Sequence, residues 1–227
     1  VTGFWNDRPT GDARSYVLEY ADANVVVNAD LTVTGGSGAV TLEADADVTG
    51  SGNISTAAGN GAVNITADRD NYAYAGTNRG TIDLTGNIAA GTGTGTFSLT
   101  DCDGKVDGNV TAGDIVMGLD AQSPEGALRL NGNANTFSGT TTIDRGTLLI
   151  NGTLTDTATG APGGGDVVVT DNGVLGGDGD GTATGVINGT IYVDSGGILD
   201  PGGCDPNGTS PTCGPQPGQL TVNGDIT

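Results

Sequence analysis

The sequence lacks histidine altogether and has few aromatic, basic and cysteine residues. Its 227 residues include three Phe, one Trp, five Tyr, three Cys and seven Lys plus Arg. Without histidine, neither a Ser-His-Asp nor a Cys-His nucleophilic scheme can be built, and the commonest general base is missing. The apolar runs are also far too short to cross a bilayer as a helix. Composition therefore argues against these enzyme classes and against a helical membrane span.

Acidic residues dominate the charge balance. The 27 Asp and Glu residues give a formal net charge of −20, with an isoelectric point near 4.1. Such a surface repels nucleic acids and anionic membranes, so we expect neither as a partner. It should instead attract divalent cations, of which calcium prefers the hard oxygen ligands that carboxylates supply.

Two acidic turns are candidates for a calcium site. Their carboxylates are Asp101, Asp103 and Asp107 in TDCDGKVDGN, and Asp178 and Asp180 in GGDGDGT. Neither turn is a complete ligand set, because Lys105 stands where an EF-hand loop would place an oxygen ligand and the second turn is a single copy. The alternative is that both are ordinary solvated acidic turns. No cofactor is required, and calcium is the one candidate ion.

The three cysteines have two different interpretations. Cys204 and Cys213 bracket a loop rich in Gly and Pro. A disulfide between them would restrict the unfolded chain by about 2.7 kcal/mol and is expected if the protein is exported. Cys102 is either a small buried apolar residue or an intermolecular thiol. Zinc is not expected, since only one thiol would remain and there is no histidine.

Pairs of apolar residues two positions apart recur along almost the whole chain. The pairs are Val40/Leu42, Val63/Ile65, Ile82/Leu84, Phe97/Leu99, Ile115/Met117, Leu128/Leu130, Leu148/Ile150, Val167/Val169, Ile191/Val193 and Leu220/Val222. Each pair is typical of a short strand with one face buried. The pairs recur about every 20 residues, within the range of repeat architectures. Segments rich in Gly, Asn, Asp and Thr separate them and favour turns.

This pattern predicts an all-β fold, a right-handed parallel β-helix or β-solenoid. Strands of successive coils would stack about 4.8 Å apart, and one pair per coil would give a rod of about 45 to 50 Å. No stretch of ten or more residues has apolar positions at helical spacing, so crossover helices are not expected. An antiparallel sandwich is the alternative, but it would need strands every 8 to 12 residues and a more aromatic core.

The C-terminal part of the chain resembles a known repeat. The motifs are NANTFSGTTTIDRGTLLING (133–152), GGDVVVTDNGVLGG (164–177), GVINGTIYVDSGGILDPGG (185–203) and GQLTVNGDIT (218–227). In their order they resemble the autotransporter-associated β-strand repeat of bacterial surface proteins, over residues 133–227. The resemblance implies a passenger-type β-solenoid outside the cell, acting as stalk, adhesin or assembly module. GGDGDGTATG and CDPNGTSPTCGPQP depart from the family pattern, and we expect both to be surface loops.

The composition divides the chain into two parts. Residues 1–24 hold the single Trp and two of the Tyr residues, which suggests an N-terminal cap or docking segment before a β-solenoid domain at 25–227. No signal-peptide pattern is present, so we interpret the chain as a processed product or a segment of a larger secreted protein. The last segment, LTVNGDIT, ends in mid-pattern, and an uncapped coil can pair with another chain. The residues expected in such end-to-end assembly are Phe4, Trp5, Leu220, Val222 and Ile226.

These observations predict a non-enzymatic structural module of a bacterial cell-surface protein or extracellular filament. Its expected partners are copies of itself or the rest of a larger surface protein. The alternative is an adhesin segment that binds a host or matrix glycan or protein. A polysaccharide-acting enzyme would need a carboxylate pair, for instance Asp166 with Asp194 if their strands are adjacent, together with sugar-binding aromatic residues that the repeats lack.

Overall fold

The computed structural model describes most of the chain in ten segments. They are residues 16–20, 24–44, 46–67, 80–98, 103–117, 126–158, 166–170, 172–177, 184–201 and 219–227. These segments contain strands and turns but no helix, and so no helix long and apolar enough to span a membrane.

The described strands form three parallel sheets of eight strands each. Sheet A contains β1 (Tyr16–Tyr20), β4 (Val40–Ala44), β7 (Val63–Thr66), β10 (Gly95–Ser98), β13 (Ile115–Met117), β16 (Thr141–Ile143), β19 (Val167–Val169) and β22 (Ile191–Val193). Sheet B contains β2 (Val25–Val27), β5 (Val48–Gly50), β8 (Ile82–Leu84), β11 (Asp103–Val106), β14 (Ala127–Leu130), β17 (Thr147–Ile150), β20 (Val174–Gly176) and β23 (Ile198–Asp200). Sheet C contains β3 (Leu31–Thr32), β6 (Ile54–Ser55), β9 (Ile88–Ala89), β12 (Val110–Ala112), β15 (Asn135–Phe137), β18 (Thr153–Asp156), β21 (Thr184–Asn188) and β24 (Gln219–Val222).

The chain visits the sheets in the order A, B, C and then returns to A one strand further along. Each strand therefore pairs with the strand three places on, as β4 does with β7 and β7 with β10, and these pairings are parallel. This is a β-solenoid, as predicted, and the antiparallel sandwich is excluded for the described strands because a sandwich is built from antiparallel pairs.

The prediction that each apolar pair marks one coil was wrong. The pairs belong to different sheets, since Val40/Leu42 lies in sheet A, Leu128/Leu130 in sheet B and Leu220/Val222 in sheet C. One coil contains three short strands, and the same sheet position recurs after 19 to 35 residues. Eight stacked strands at about 4.8 Å span only about 34 Å, which is shorter than the predicted rod.

The core is a column of aliphatic side chains that runs along the inside of the three sheets. Leu148 and Val169 are fully buried, which confirms their predicted inward orientation. Phe97 and Phe137 are the largest buried side chains among the described residues. Most of the core is Val, Ile and Leu, because β-branched and aliphatic side chains stack in register on parallel strands. Leu99, the partner predicted for Phe97, lies outside the described residues.

The N-terminal cap at 1–24 stays a prediction. Within that segment, Tyr16–Tyr20 forms β1 and pairs in parallel with β4, so these five residues continue sheet A. Residues 1–15 and 21–23 lie outside the described part of the chain, and with them Phe4 and Trp5.

One buried hydroxyl in the core has no hydrogen-bond partner within the described part of the chain. Thr141 occupies an inward position of sheet A between Ile115 and Val167, and its Oγ1 is fully buried. We expect Thr141→Val to raise the free energy of unfolding by about 1 kcal/mol, because it removes an unsatisfied polar atom and nearly preserves shape. Urea unfolding measures this. Thr142→Val, on the outer face of the same strand, should change stability by less than about 0.5 kcal/mol, and a destabilised Thr141→Val would contradict the assignment.

Candidate functional surfaces

A column of stacked glycines lines the turn between sheets B and C. In each of these turns a Cβ on the glycine would collide with the backbone of the preceding coil, so no other residue fits without separating the coils. The contacts are between Gly86 and Gly52, Gly108 and Gly86, Gly132 and Gly108, and Gly152 and Gly132. The column therefore holds successive coils in close backbone contact at this corner.

A ladder of Asn side chains follows the glycines directly. The side-chain Oδ1 of one coil accepts a hydrogen bond from a backbone N–H of the next coil. The donor and acceptor pairs, each at 2.9 Å, are Asn53 N–H to Asp30 Oδ1, Asn87 N–H to Asn53 Oδ1, and Asn109 N–H to Asn87 Oδ1. Asn109 Oδ1 then accepts from the Ala134 amide at 3.0 Å. Each rung ties one coil to the next outside the regular strand pairing.

Sequence reasoning missed this corner, although a signal was present. The dipeptide Gly-Asn occurs at 52–53, 86–87, 108–109 and 132–133, each time followed directly by an apolar residue. The same residues looked like ordinary turn formers because the spacing of the dipeptides varies with the length of each coil. The dipeptides can be recognised as one column only when the coils are aligned by the register of the parallel strand pairs.

Two further polar ladders run along the solenoid. Asn131 donates through Nδ2 to Asp107 Oδ1 at 2.7 Å, and Asn151 donates to Asn131 Oδ1 at 2.9 Å. At the end of sheet C, Asn223 donates to Asn188 Oδ1 at 2.9 Å. These bonds are further non-covalent ties between coils, and they make the acidic exterior an ordered surface.

Asp107, one of the predicted calcium ligands, is engaged by protein groups. Lys105 Nζ lies 2.9 Å from Asp107 Oδ2 and 3.5 Å from Asp83 Oδ1, while Asn131 binds the other oxygen of Asp107. Among the described residues there is no group of three or more carboxylates and thiols that could hold a metal ion. For Asp103 only the backbone is described, and Asp101, Asp178 and Asp180 lie outside the described residues, so a calcium site in these turns stays a prediction.

The Lys105–Asp107 pair makes a small pH-dependent contribution to stability. Burial raises the pKa of Asp107, but the hydrogen bonds from Asn131 and Lys105 outweigh burial and lower this pKa below its ordinary 3.8. The hydrogen bond to Asp107 raises the pKa of Lys105 above 10.5. The carboxylate therefore stabilises the fold above about pH 3.8 and loses this effect as the pH falls through its lowered pKa.

We expect Asp107→Asn to lower the free energy of unfolding near pH 7 by about 0.2 to 1 kcal/mol, since the pair is largely exposed. The difference from the unmodified chain should shrink as the pH falls below about 3.8. Urea unfolding at a series of pH values measures both effects. A difference that stays constant over the acidic range would show that the pair does not titrate as described. Asp83→Asn, at a longer distance from Lys105, is the control and should have a smaller effect.

The predicted disulfide lies outside the described residues, as do Cys204, Cys213 and Cys102. It stays a prediction, together with the two interpretations of Cys102.

The last described coil carries apolar side chains that are partly exposed. Leu220 and Val222 are half-buried and pack on the core, whereas Ile198 is 50% and Ile226 55% exposed. Residues 225–227 begin a further strand on sheet A, because Ile226 bridges in parallel to Ile191. Among the described strands, β23 and β24 have a neighbour on one side only. Three of the predicted assembly residues, Leu220, Val222 and Ile226, thus lie together at this end.

The structure does not bring the candidate catalytic carboxylates together. Their strands β19 and β22 are adjacent, but Asp166 precedes the first paired position and Asp194 follows the last. The two residues are four positions apart along the strand direction, which is about 13 Å at 3.3 Å per residue. Glycosidase carboxylates are about 5 to 9.5 Å apart, so this pair does not have the required separation.

The comparison with known families gives one match. The sequence profile of the passenger-associated-transport-repeat matches residues 125–150. This segment contains β14, β15, β16 and β17, so it covers one full coil and the first strand of the next. It confirms, over part of its length, the resemblance to the autotransporter repeat. No curated protein and no solved structure matches the chain. The fold and the matched repeat together fit a passenger-domain-like module of a surface protein.

Proposed function

We propose that the chain is a non-enzymatic, load-bearing β-solenoid module of a bacterial surface protein or extracellular filament. The repeat match suggests a secreted or surface protein, and an extracellular location is part of the proposal. Stacked Gly and Asn columns and parallel backbone ladders distribute load over many hydrogen bonds, so that little depends on a single side chain.

The module joins end-to-end with copies of itself through its terminal coils. The observation that carries this proposal is the parallel pairing of eight strands in each described sheet, because a further coil of the same geometry can extend such a stack. Unpaired strand edges offer main-chain donors and acceptors to another strand. Residues 225–227 already occupy part of the sheet A edge, so sheets B and C supply most of the contact.

Electron microscopy and sedimentation velocity of the purified chain test this assembly. We expect filaments with an axial repeat of about 38 Å, the height of eight coils. Assembly should strengthen as salt screens the net charge of −20. If calcium bridges the acidic turns, chelator should shorten the filaments. Isolated rods in every buffer would contradict self-assembly and leave a larger surface protein as the source of the next coil.

A matched pair of variants tests whether the last coil makes the contact. Val222→Lys places a charge at the half-buried apolar edge, and we expect it to abolish filaments because the charge would be buried without a partner. Thr221→Lys adds the same charge on the exposed outer face of the same strand and should leave filaments largely intact. Equal effects of the two variants would show that net charge, and not the apolar edge, controls assembly.

The alternative is an adhesin segment that binds a host or matrix partner. The observation in its favour is an exposed aromatic side chain outside the N-terminal segment, Tyr192, which is 38% exposed on sheet A.

A further inference from the structure

The outer face of sheet A becomes more apolar in the last four coils. Its central column there is Val116, Thr142, Val168 and Tyr192, which lie in register on β13, β16, β19 and β22. Tyr192 is exposed and the other three are partly exposed, so the column is a mostly apolar stripe, interrupted by Thr142, that solvent can reach. On β4, β7 and β10 the same column carries Thr41, Asn64 and Thr96 and is polar.

Carboxylates border this stripe on both sides. On one side Asp114 and Asp166 alternate with Thr140 and Thr190, and on the other side Asp144 and Asp194 flank Thr170. Carboxylates on the same side are two strands apart, or about 9.6 Å, so none is directly opposite a like charge.

Hydrogen bonds hold two of these carboxylates in position. Asp114 Oδ1 accepts from the Thr140 amide at 2.8 Å, and Asp144 Oδ1 accepts from the Thr170 hydroxyl at 3.0 Å. Each acceptor lies one coil before its donor, so these bonds resemble the Asn ladder in fixing side chains across coils. The face therefore has a mostly apolar centre and a border in which two carboxylates are held by hydrogen bonds.

Basic residues that could neutralise the border are scarce in this half of the chain. After residue 80 the sequence contains only Lys105, Arg129 and Arg145. Lys105 and Arg129 lie on the outer face of sheet B, and Arg145 follows β16 in the turn toward sheet B. The sheet A columns themselves contain no cation in these coils.

We propose that this face, named here the sheet A stripe, binds a basic protein segment. The stripe consists of Val116, Thr142, Val168 and Tyr192 with the bordering Asp114, Asp144, Asp166 and Asp194. Lysine or arginine side chains of the partner would pair with the border, and its apolar side chains would cover the stripe. Charge complementarity selects this partner over acidic or neutral ones, and the exposed tyrosine is the residue type enriched at interface centres.

A defined peptide serves as the probe. A short peptide of alternating lysine and valine should bind the purified chain, and a peptide of alternating lysine and serine, with equal charge, should bind at least about tenfold more weakly. Calorimetry or fluorescence anisotropy measures both affinities. Equal affinities would overturn the role of the apolar stripe.

Two quadruple variants separate the stripe from the general acidity of the chain. The first variant replaces the four border carboxylates, Asp114, Asp144, Asp166 and Asp194, with Asn. It should weaken binding of the lysine-valine peptide about tenfold, while the Asn side-chain oxygens can still accept the inter-coil hydrogen bonds. The control changes Asp30, Asp47, Asp83 and Asp156 to Asn, which alters net charge equally on the other faces. Equal weakening by both variants would overturn the proposal, because attraction to a chain of net charge −20 would then explain the binding.

Tyr192 gives a second readout that does not change charge. Tyr192→Ser should weaken binding several-fold and Tyr192→Phe should not, because the ring supplies most of the contact area. An unaffected Tyr192→Ser would contradict a contact at this position. Binding is measured on the monomeric chain at low concentration, so it can succeed or fail independently of filament formation.

Discussion

Leu148→Asp is expected to destabilise the solenoid by more than about 4 kcal/mol. Leu148 is fully buried in β17, and a carboxylate at this position would have no hydrogen-bond or ion-pair partner in the surrounding aliphatic column. The coil must then open or the carboxyl must take up a proton. Circular dichroism and urea unfolding should show a large loss of stability, together with a shift toward greater stability at low pH.

A variant in the same coil provides the control. Thr142→Asp introduces the same group on the outer face of β16, where water can solvate it, and should cost less than about 1 kcal/mol. Val169→Asp, in the next coil, repeats the buried test at an independent position. If the two buried variants melt like the unmodified chain, the inward orientation is wrong.

Gly108→Ala is expected to destabilise the solenoid by about 3 kcal/mol, although the substitution adds a single methyl group. A Cβ on residue 108 would collide with the backbone carbonyl of Gly86 and would lie 2.8 Å from the backbone nitrogen of Asn87. Backbone atoms of a stacked coil cannot move aside without breaking the Asn87–Asn109 rung and the neighbouring strand pairs, so the substitution acts as overpacking. Thermal and urea unfolding measure the loss.

Gly95→Ala is the matched control, since Gly95 is also buried in the solenoid. The atoms nearest to its Cβ would be at 3.6 Å, which is ordinary contact, and its φ is not in the left-handed region. We expect this substitution to be neutral or to stabilise the protein by up to about 1 kcal/mol, because glycine loses more backbone entropy on folding than alanine does. If both glycine variants are equally tolerated, the stacked column does not control coil spacing.

The sequence predicted the fold class from two simple facts. Apolar residues alternate over short distances, and Gly, Asn and Asp separate these stretches, which together predict short strands and tight turns. Pairs such as Val40/Leu42 and Val167/Val169 are buried as expected, because the period of a strand is the same wherever the strand lies. The family match at residues 125–150 confirms the predicted resemblance over residues 133–150, where the coil is short and uninterrupted.

The number of coils could not be read in the same way. Inserted loops change the spacing of paired positions from 19 to 35 residues, so equal spacing in sequence does not correspond to equal position in the solenoid. The Gly-Asn corner illustrates the consequence, because its dipeptides are recognisable only after the coils have been aligned. The assembly role of Leu220, Val222 and Ile226 stays a prediction, and the stripe around Tyr192 was not predicted from the sequence.

Local alternation and turn chemistry determined, by themselves, that the described part of this chain forms short strands with one apolar face. Tertiary structure alone decided which strands share a sheet, that Gly86 lies against Gly108, and that Asp114, Val168 and Tyr192 belong to one surface. The physical reason is that strand period is a property of a few consecutive residues. Stacking is instead a property of residues 19 or more positions apart, and it is set by register and loop length.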